Sequence, residues 1–217
     1  FNCMKGYSTF VLDLSNGVEH IWKNMSKTVR TAIRKGEKSN LKFEVELSHN
    51  AISEFYDIYT KNMKQLGTPV HSLNFFNNIY QTFPENVFIS TVRLNDDAIS
   101  SLYLLKFKDT LIYGWGSSSI EFLKYRPNNF IHWNSIKYAC GNGLLRYDFG
   151  RSLINSGNYK FKERWGSVAV PLIYCYYPPT KTLLPPQNEY GKFAKIWSKL
   201  PLQTTKIIGP MVRKYIA

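Results

Sequence analysis

Two tight-turn signals constrain the middle of this chain. Residues 86–94, 98–107 and 110–118 are strand-length apolar runs, and only Asn95-Asp96-Asp97 and Lys108-Asp109 separate them. Connections this short reverse the chain directly, whereas parallel neighbours need a crossover of about a dozen residues or more. The three runs are therefore expected to form an antiparallel meander. At 217 residues, 44% hydrophobic and 20% charged, the chain is globular and long enough to bury a substantial core.

Helical patterns flank the meander. Over residues 19–38, Trp22, Met25, Val29 and Ile33 repeat at spacings of three and four and predict one amphipathic helix. Lys27, Arg30, Arg34 and Lys38 repeat at the same spacings on the opposite side, a basic ridge that is either a solvated face or suited to the phosphates of tRNA or of a diphosphate-linked acceptor. A strand over 41–47 precedes a helix over 50–66, with Ile52, Phe55, Tyr56, Tyr59 and Met63 facing inward and Gly67 as its cap. After the loop Thr68-Pro69-Val70-His71, Ser72 can cap a shorter helix reaching residue 83. Downstream, a helix starts at Pro127 and ends by residues 141–143, followed by strands over 144–149 and 167–177 with an irregular loop between them.

The charge balance limits the partners. A net charge of +13 favours anions: RNA, nucleotide-linked substrates, coenzyme phosphates or acidic lipid surfaces. Cys3, Cys140 and Cys175 are odd in number and far apart, which signals neither a disulfide framework nor a zinc site and fits a reducing cytoplasm. The sequence shows no secretory signal or membrane-length apolar run, so the expected location is cytoplasmic, with peripheral contact to the inner face of the cytoplasmic membrane as an option. The chain opens on Phe1 with a strand already running over 8–14, so it is expected to begin partway through a larger protein.

The block between Gly143 and Gly166 says most about function. A short strand ends in Tyr147-Asp148-Phe149-Gly150-Arg151-Ser152, and a polar linker then leads to Tyr159-Lys160-Phe161-Lys162-Glu163-Arg164-Trp165-Gly166. Polar and charged side chains beside glycines at a strand's end suit a ligand site, with Tyr159, Phe161 and Trp165 as walls. Together with Leu66-Gly67-Thr68-Pro69-Val70, this block resembles the acyltransferase domain of FemAB/FemX-like proteins, in particular those associated with exosortase and exopolysaccharide systems. The order of elements from residue 13 to 177 is that of a GNAT-like unit, two of which stand in tandem in the FemAB-like proteins. The resemblance implies an α/β (α+β) fold with a mixed, largely antiparallel central sheet flanked by helices. Residues 1–15 would close a preceding unit, 16–178 would form the acyltransferase domain and 179–217 a basic amphipathic tail.

Acyl transfer to an amine needs a neutral nucleophile, a route for the lost proton and stabilisation of a tetrahedral oxyanion. By resemblance, Lys162 faces the acyl carbonyl and Phe161 lines the donor tunnel; from the residues alone, Lys162 is equally a solvated lysine beside Glu163. Asp148 shares a strand face with Arg146. It either pairs with that arginine, or orients Arg151 or accepts the amine's proton. Arg151 and Ser152, past the strand's end, are candidate binders of anionic groups, and His71 is a candidate proton relay. In the strand over 110–118, Tyr113, Trp115 and Ser117 are expected on one face and Gly114 and Gly116 on the other. Those glycines mark a bulge, close packing or, by resemblance, the channel for the donor's arm beside Trp115. Where GNAT enzymes carry a glycine-rich phosphate loop, this chain has Arg126-Pro127-Asn128-Asn129. Arg126 can bind an anion, but the missing glycines argue against coenzyme A as donor, and the resemblance implies an aminoacyl group carried by tRNA.

No metal-ligand spacing and no covalent nucleophile motif is present, so direct transfer is expected, with the acyl donor, aminoacyl-tRNA or acyl-CoA, as co-substrate rather than a bound cofactor. The expected acceptor is an amine-bearing cell-envelope, exopolysaccharide or lipid precursor. In the tail, Phe193, Ile196, Trp197 and Leu200 oppose Lys192, Lys195 and Lys199, and the pattern runs on through Leu202 to Ile216. Such a stretch can lie on an anionic membrane or dock onto an upstream unit. Two further readings stay open: a fatty N-acyltransferase acting on a long-chain amine with acyl-CoA or acyl-carrier protein, and a non-catalytic module that binds RNA or an anionic membrane.

Overall fold

The computed structural model describes residues 2–177 and 187–214; the Pro178-Pro179 and Pro185-Pro186 pairs and Ile216 lie outside them. In chain order the elements are β1 (Asn2–Asp13), α1 (Gly17–Asn24), α2 (Lys27–Lys38), β2 (Lys42–Glu46), α3 (His49–Gln65) and α4 (Leu73–Thr82). The meander β3 (Val87–Leu94), β4 (Asp97–Phe107) and β5 (Thr110–Ser118) follows, then a 3₁₀ turn (Ile120–Tyr125) and α5 (Pro127–Gly141). The chain continues through β6 (Arg146–Asp148), β7 (Ser152–Leu153), α6 (Gly157–Glu163), β8 (Val168–Tyr176), α7 (Gln187–Lys199) and α8 (Leu202–Arg213). Among the described residues no helix is long and apolar enough to cross a membrane.

The sheet runs β2-β3-β4-β5-β6-β1, antiparallel except for the parallel β5–β6 pair. β1 carries β6 and then β7 along one edge and β8 along the other. Alternation along the strands splits the core in two. Leu102, Leu104 and Leu111 face α1, α2 and α5, packing with Ile33, Ile131 and Ile136. Val87, Ile89 and Tyr103 face α3 and α4, packing with Phe55, Tyr59 and Phe76. This is the mixed α/β architecture expected from the sequence.

Five local expectations need correction. The helix over 19–38 is two helices, because Ser26 caps α2 by accepting from Val29 N (3.4 Å) while Met25 is extended. The apolar stripe survives that break, with Ile21, Met25, Val29 and Ile33 all buried, so periodicity alone could not reveal it. β1, expected to close a preceding unit, lies inside this sheet. The loop after β6 is ordered: Ser156 accepts from Tyr159 N (3.1 Å) and starts α6. In β5, Tyr103 opposes Trp115 and Leu104 opposes Tyr113, which leaves Gly114 as the extra residue of a bulge. One inserted residue reverses the alternation, so Tyr113 turns to the α5 side and Trp115 to the α3/α4 side instead of sharing a face. Finally, Cys3 and Cys175 are directly opposed on β1 and β8 and form a disulfide, leaving Cys140 free; the cysteines therefore give no support to a reducing compartment.

The tail docks on this domain. Lys64 Nζ donates to Ser198 O (2.9 Å), Lys206 pairs with Asp57 (2.8 Å) and Arg213 Nε donates to His71 Nε2 (3.4 Å). A Cβ on Gly67 would stand 2.4 Å from Ala194 O, and one on Gly209 would stand 2.9 Å from Val70. Small residues thus let α7 and α8 lie close against α3 and the loop that follows it.

Candidate active site

The parallel pairing of β5 and β6 lasts for three residues, Thr110 to Ile112 against Arg146 to Asp148. Beyond it β5 continues to Ser118, whereas the other chain turns at Gly150, whose φ of 72° is favourable for glycine. A side chain at Gly150 would also press on Tyr113 O at 2.8 Å. The two strands part here and leave a fork.

Lys162 fills that fork. The side chain is 6% exposed, and its ammonium donates to Gly150 O (2.9 Å) and Arg151 O (3.1 Å), 5.9 Å from the centre of the Tyr113 ring. Burial lowers its pKa to about 8, against the opposing pull of Asp148. An ammonium has three donors, and the two carbonyls use two of them. Asp148 is half-buried and held by its own strand end: Oδ1 accepts from Gly150 N (2.8 Å) and from the Thr9 hydroxyl. Neither arginine pairs with it, since Arg146 bridges to Asp109 (3.1 Å) and Arg151 donates to the Tyr174 hydroxyl (2.9 Å) while stacking over Tyr7.

Behind the lysine is a histidine that, within its helix beside Trp133, reads from the sequence as packing. His132, 5% exposed on α5, shares a hydrogen bond with the Tyr147 hydroxyl (2.8 Å) and packs among Tyr113, Phe149, Phe161 and Trp165. Burial, with the Lys162 charge adding to it, pushes its pKa down to about 3, so it is neutral at physiological pH. Its one detectable signal was its place on a helix whose apolar residues occupy every side, and that arrangement hides any single face.

Beside the fork a groove of about 560 Å³ runs between α2 and the start of α5. Lys27, Lys35, Arg126 and Arg164 surround it with Asn129, and Phe161 forms part of its wall. Arg126 is exposed, with φ of 61°, at the start of α5. Four cations around one concave surface give it a positive potential that suits an anionic ligand. The expected basic ridge does not form as one strip. Arg30 Nη1 donates to the carbonyls of Trp22, Lys23 and Met25 (3.1, 3.1 and 2.6 Å), closing the end of α1, and Arg34 lies over the Trp22 ring. Lys38 is exposed at the last turn of α2 and does not line the groove. Of the four ridge residues Lys27 remains; Lys35, eight positions on, shares its face of α2 with Thr31 between them, and the fold adds Arg164 from the chain after α6.

Other candidates occupy different surroundings. His71 stacks on Phe75, stands edge-on to Trp115 and receives the Arg213 hydrogen bond; burial and Arg213 lower its pKa to about 4. Its neighbours are not those of Lys162, so the two are not in contact. Trp165 is fully buried in the core, Tyr159 packs edge-on against Phe10, and Ser152 is buried where β7 meets Ser8 of β1. Gly116 leaves no channel: a Cβ there would stand 2.4 Å from Leu102 and 2.7 Å from the Tyr113 ring, which fill the space. Gly114 is exposed at the bulge, and Trp115 belongs to the α3/α4 cluster.

Comparison with known proteins agrees with this fold. An acetyltransferase (GNAT) domain model matches residues 23–163. The lipid II:glycine glycyltransferase of Staphylococcus aureus is 30% identical over 91 residues, 39% of this chain and 19% of that enzyme. FemX shares the fold with a TM-score of 0.69 at 16% identity, over 75% of this chain and 59% of FemX. L-PGS from Bacillus licheniformis gives 0.63 at 10% identity, over 92% of this chain and 67% of that one. The chain thus spans about a fifth of the glycyltransferase and about three fifths of FemX. With more than half of its own length matched, the chain belongs to the acetyltransferase (GNAT) domain family.

Proposed function

We propose that this domain transfers an aminoacyl or acyl group from an anionic donor to an amine on a lipid-linked cell-envelope or exopolysaccharide precursor, by direct attack. The observation that carries the reading is the buried Lys162 ammonium at the fork between β5 and β6. As the acyl carbonyl becomes tetrahedral its oxygen gains negative charge, and a desolvated ammonium with a donor to spare stabilises that charge far more than water would. With its pKa near 8 the lysine stays protonated at neutral pH. Asp148, beside it, is the group placed to take the proton that the amine loses, directly or through water. The groove of Lys27, Lys35, Arg126 and Arg164 suits the donor's phosphates, and the missing glycine-rich loop favours charged tRNA over coenzyme A. A lipid II-linked acceptor is the chemistry named for the staphylococcal relative.

The test is an assay of amine aminoacylation with charged tRNA and an envelope-precursor acceptor. Lys162→Met is expected to lower kcat by about 10²–10³-fold while donor binding is retained. Unchanged turnover would remove Lys162 from the chemistry and leave the domain as a binding module.

A further inference from the structure

The docking of α7 and α8 accounts for one side of that helix pair and leaves the other open. Trp197, Thr205 and Gly209 are buried against the domain. Ile196, Ile207 and Met211 are 66%, 70% and 64% exposed, and Ile207 and Met211 stand one turn apart on α8 as a single outward stripe. Lys195, Lys199 and Lys214 are exposed on the same pair of helices. From residue 187 to 214 the sequence holds four further aliphatic residues and six basic ones, against Glu189 as the one acid.

We propose that the outward face of the α7–α8 pair is a docking surface for an anionic lipid bilayer. Three large aliphatic side chains left more than half in water among lysines are a poor surface for a soluble molecule but match the boundary between acyl chains and charged headgroups. Charge selects the occupant. A second copy of this chain, itself at +13, would set like charges against each other across a symmetric interface. An anionic bilayer supplies both the apolar phase for Ile196, Ile207 and Met211 and the counter-charge for the lysines around them. The surface is distinct from the Lys162 fork and does not depend on the proposed chemistry.

The test is co-sedimentation of the full chain with sucrose-loaded vesicles of phosphatidylcholine alone or with about three tenths phosphatidylglycerol. Binding is expected to the anionic vesicles, to weaken as salt is raised, and to be at least about tenfold lower on neutral vesicles. Ile207→Asp with Met211→Asp, both on exposed positions, is expected to lower partitioning at least about tenfold, and each of Lys195→Ala and Lys199→Ala about five-fold. The same aspartate variant should keep its melting temperature and its transfer rate on a soluble acceptor, which separates failure of docking from failure of the proposed chemistry. A chain that stays in the supernatant with anionic vesicles overturns the proposal, and so does a solution dimer that the aspartate pair dissociates.

Discussion

At Lys162 burial and charge oppose each other, and the conflict can be measured. The folded pKa of about 8 lies below the unfolded value of 10.5. Below pH 8 both states carry the proton, and the folded state bears the cost of a charge removed from water. Between pH 8 and 10.5 the unfolded chain binds more protons, so raising the pH through that window stabilises the fold. A shift of this size corresponds to about 3 kcal/mol. The unfolding free energy of the wild type minus that of Lys162→Met should therefore rise by about 3 kcal/mol from pH 7 to pH 10.5 in urea titrations; a difference independent of pH would place Lys162 in solvent. Gly116 is a second residue-scale test. Gly116→Ala forces Leu102 and Tyr113 aside and should cost about 1–3 kcal/mol. Gly141→Ala, with nothing within 4 Å of the added methyl at the end of α5, should be neutral or slightly stabilising in the same urea titrations.

Among the elements, α1 and α2 show how two residues of one expected ridge come to do different work. Arg30 gathers the three carbonyls at the end of α1, so Arg30→Ala should lower stability by about 1–3 kcal/mol and leave affinity for a short RNA almost unchanged. Lys35 lines the groove, so Lys35→Ala should leave the melting temperature nearly unchanged, weaken RNA binding and reduce the salt slope by about 1. The opposite pattern in paired melting and binding experiments would exchange their roles. What the sequence revealed at this scale follows from how local each signal is. The meander, the caps at Ser72 and Gly67 and the Pro127 start were legible because each is written in a few neighbouring residues. The break at Ser26 was hidden because the buried stripe runs through it, and α6 because its polar lead-in, Asn155 to Asn158, reads as loop while Ser156 caps a helix. Alternation assigned Tyr113 and Trp115 to one face: the two glycines allowed a bulge in this strand, but its place at Gly114 shows only in the pairing with β4. The chemistry of the fork was legible in part: Lys162 stood out through its motif and Lys35 lies eight residues after Lys27 on one helix face, whereas His132 and Arg164 reach their places through tertiary contacts that no spacing records.

For the molecule as a whole, the determining connection is between the two ends of the domain. β1 opens the described chain and β8 follows the lysine-bearing helix, yet they lie side by side with Ser8 against Pro171 and Val11 against Val168. β1 also holds β6 through Val11 to Asp13, and its Thr9 hydroxyl anchors Asp148. The strand expected to belong elsewhere thus supports one side of the fork, and whatever secures it helps to secure the site. Cys3 and Cys175 tie its outer end to β8 across 172 residues of sequence. Closing so long a loop restricts the unfolded chain by up to about 5 kcal/mol, of which natural disulfides typically realise about 2–4 kcal/mol. Reduction, or Cys3→Ser in the absence of reductant, should lower the unfolding free energy by that amount. It should also increase hydrogen exchange first at the Asn2–Asp13 and Val168–Tyr176 strands, whose paired amides would open before the meander's. Because the crosslink lies at the far end of β1 from the β6 pairing, transfer activity should persist after reduction at moderate temperature and fall at a lower melting point. If reductant shifts neither the urea midpoint nor the exchange of these two strands, the β1–β8 pairing, rather than the crosslink, holds this side of the fork closed.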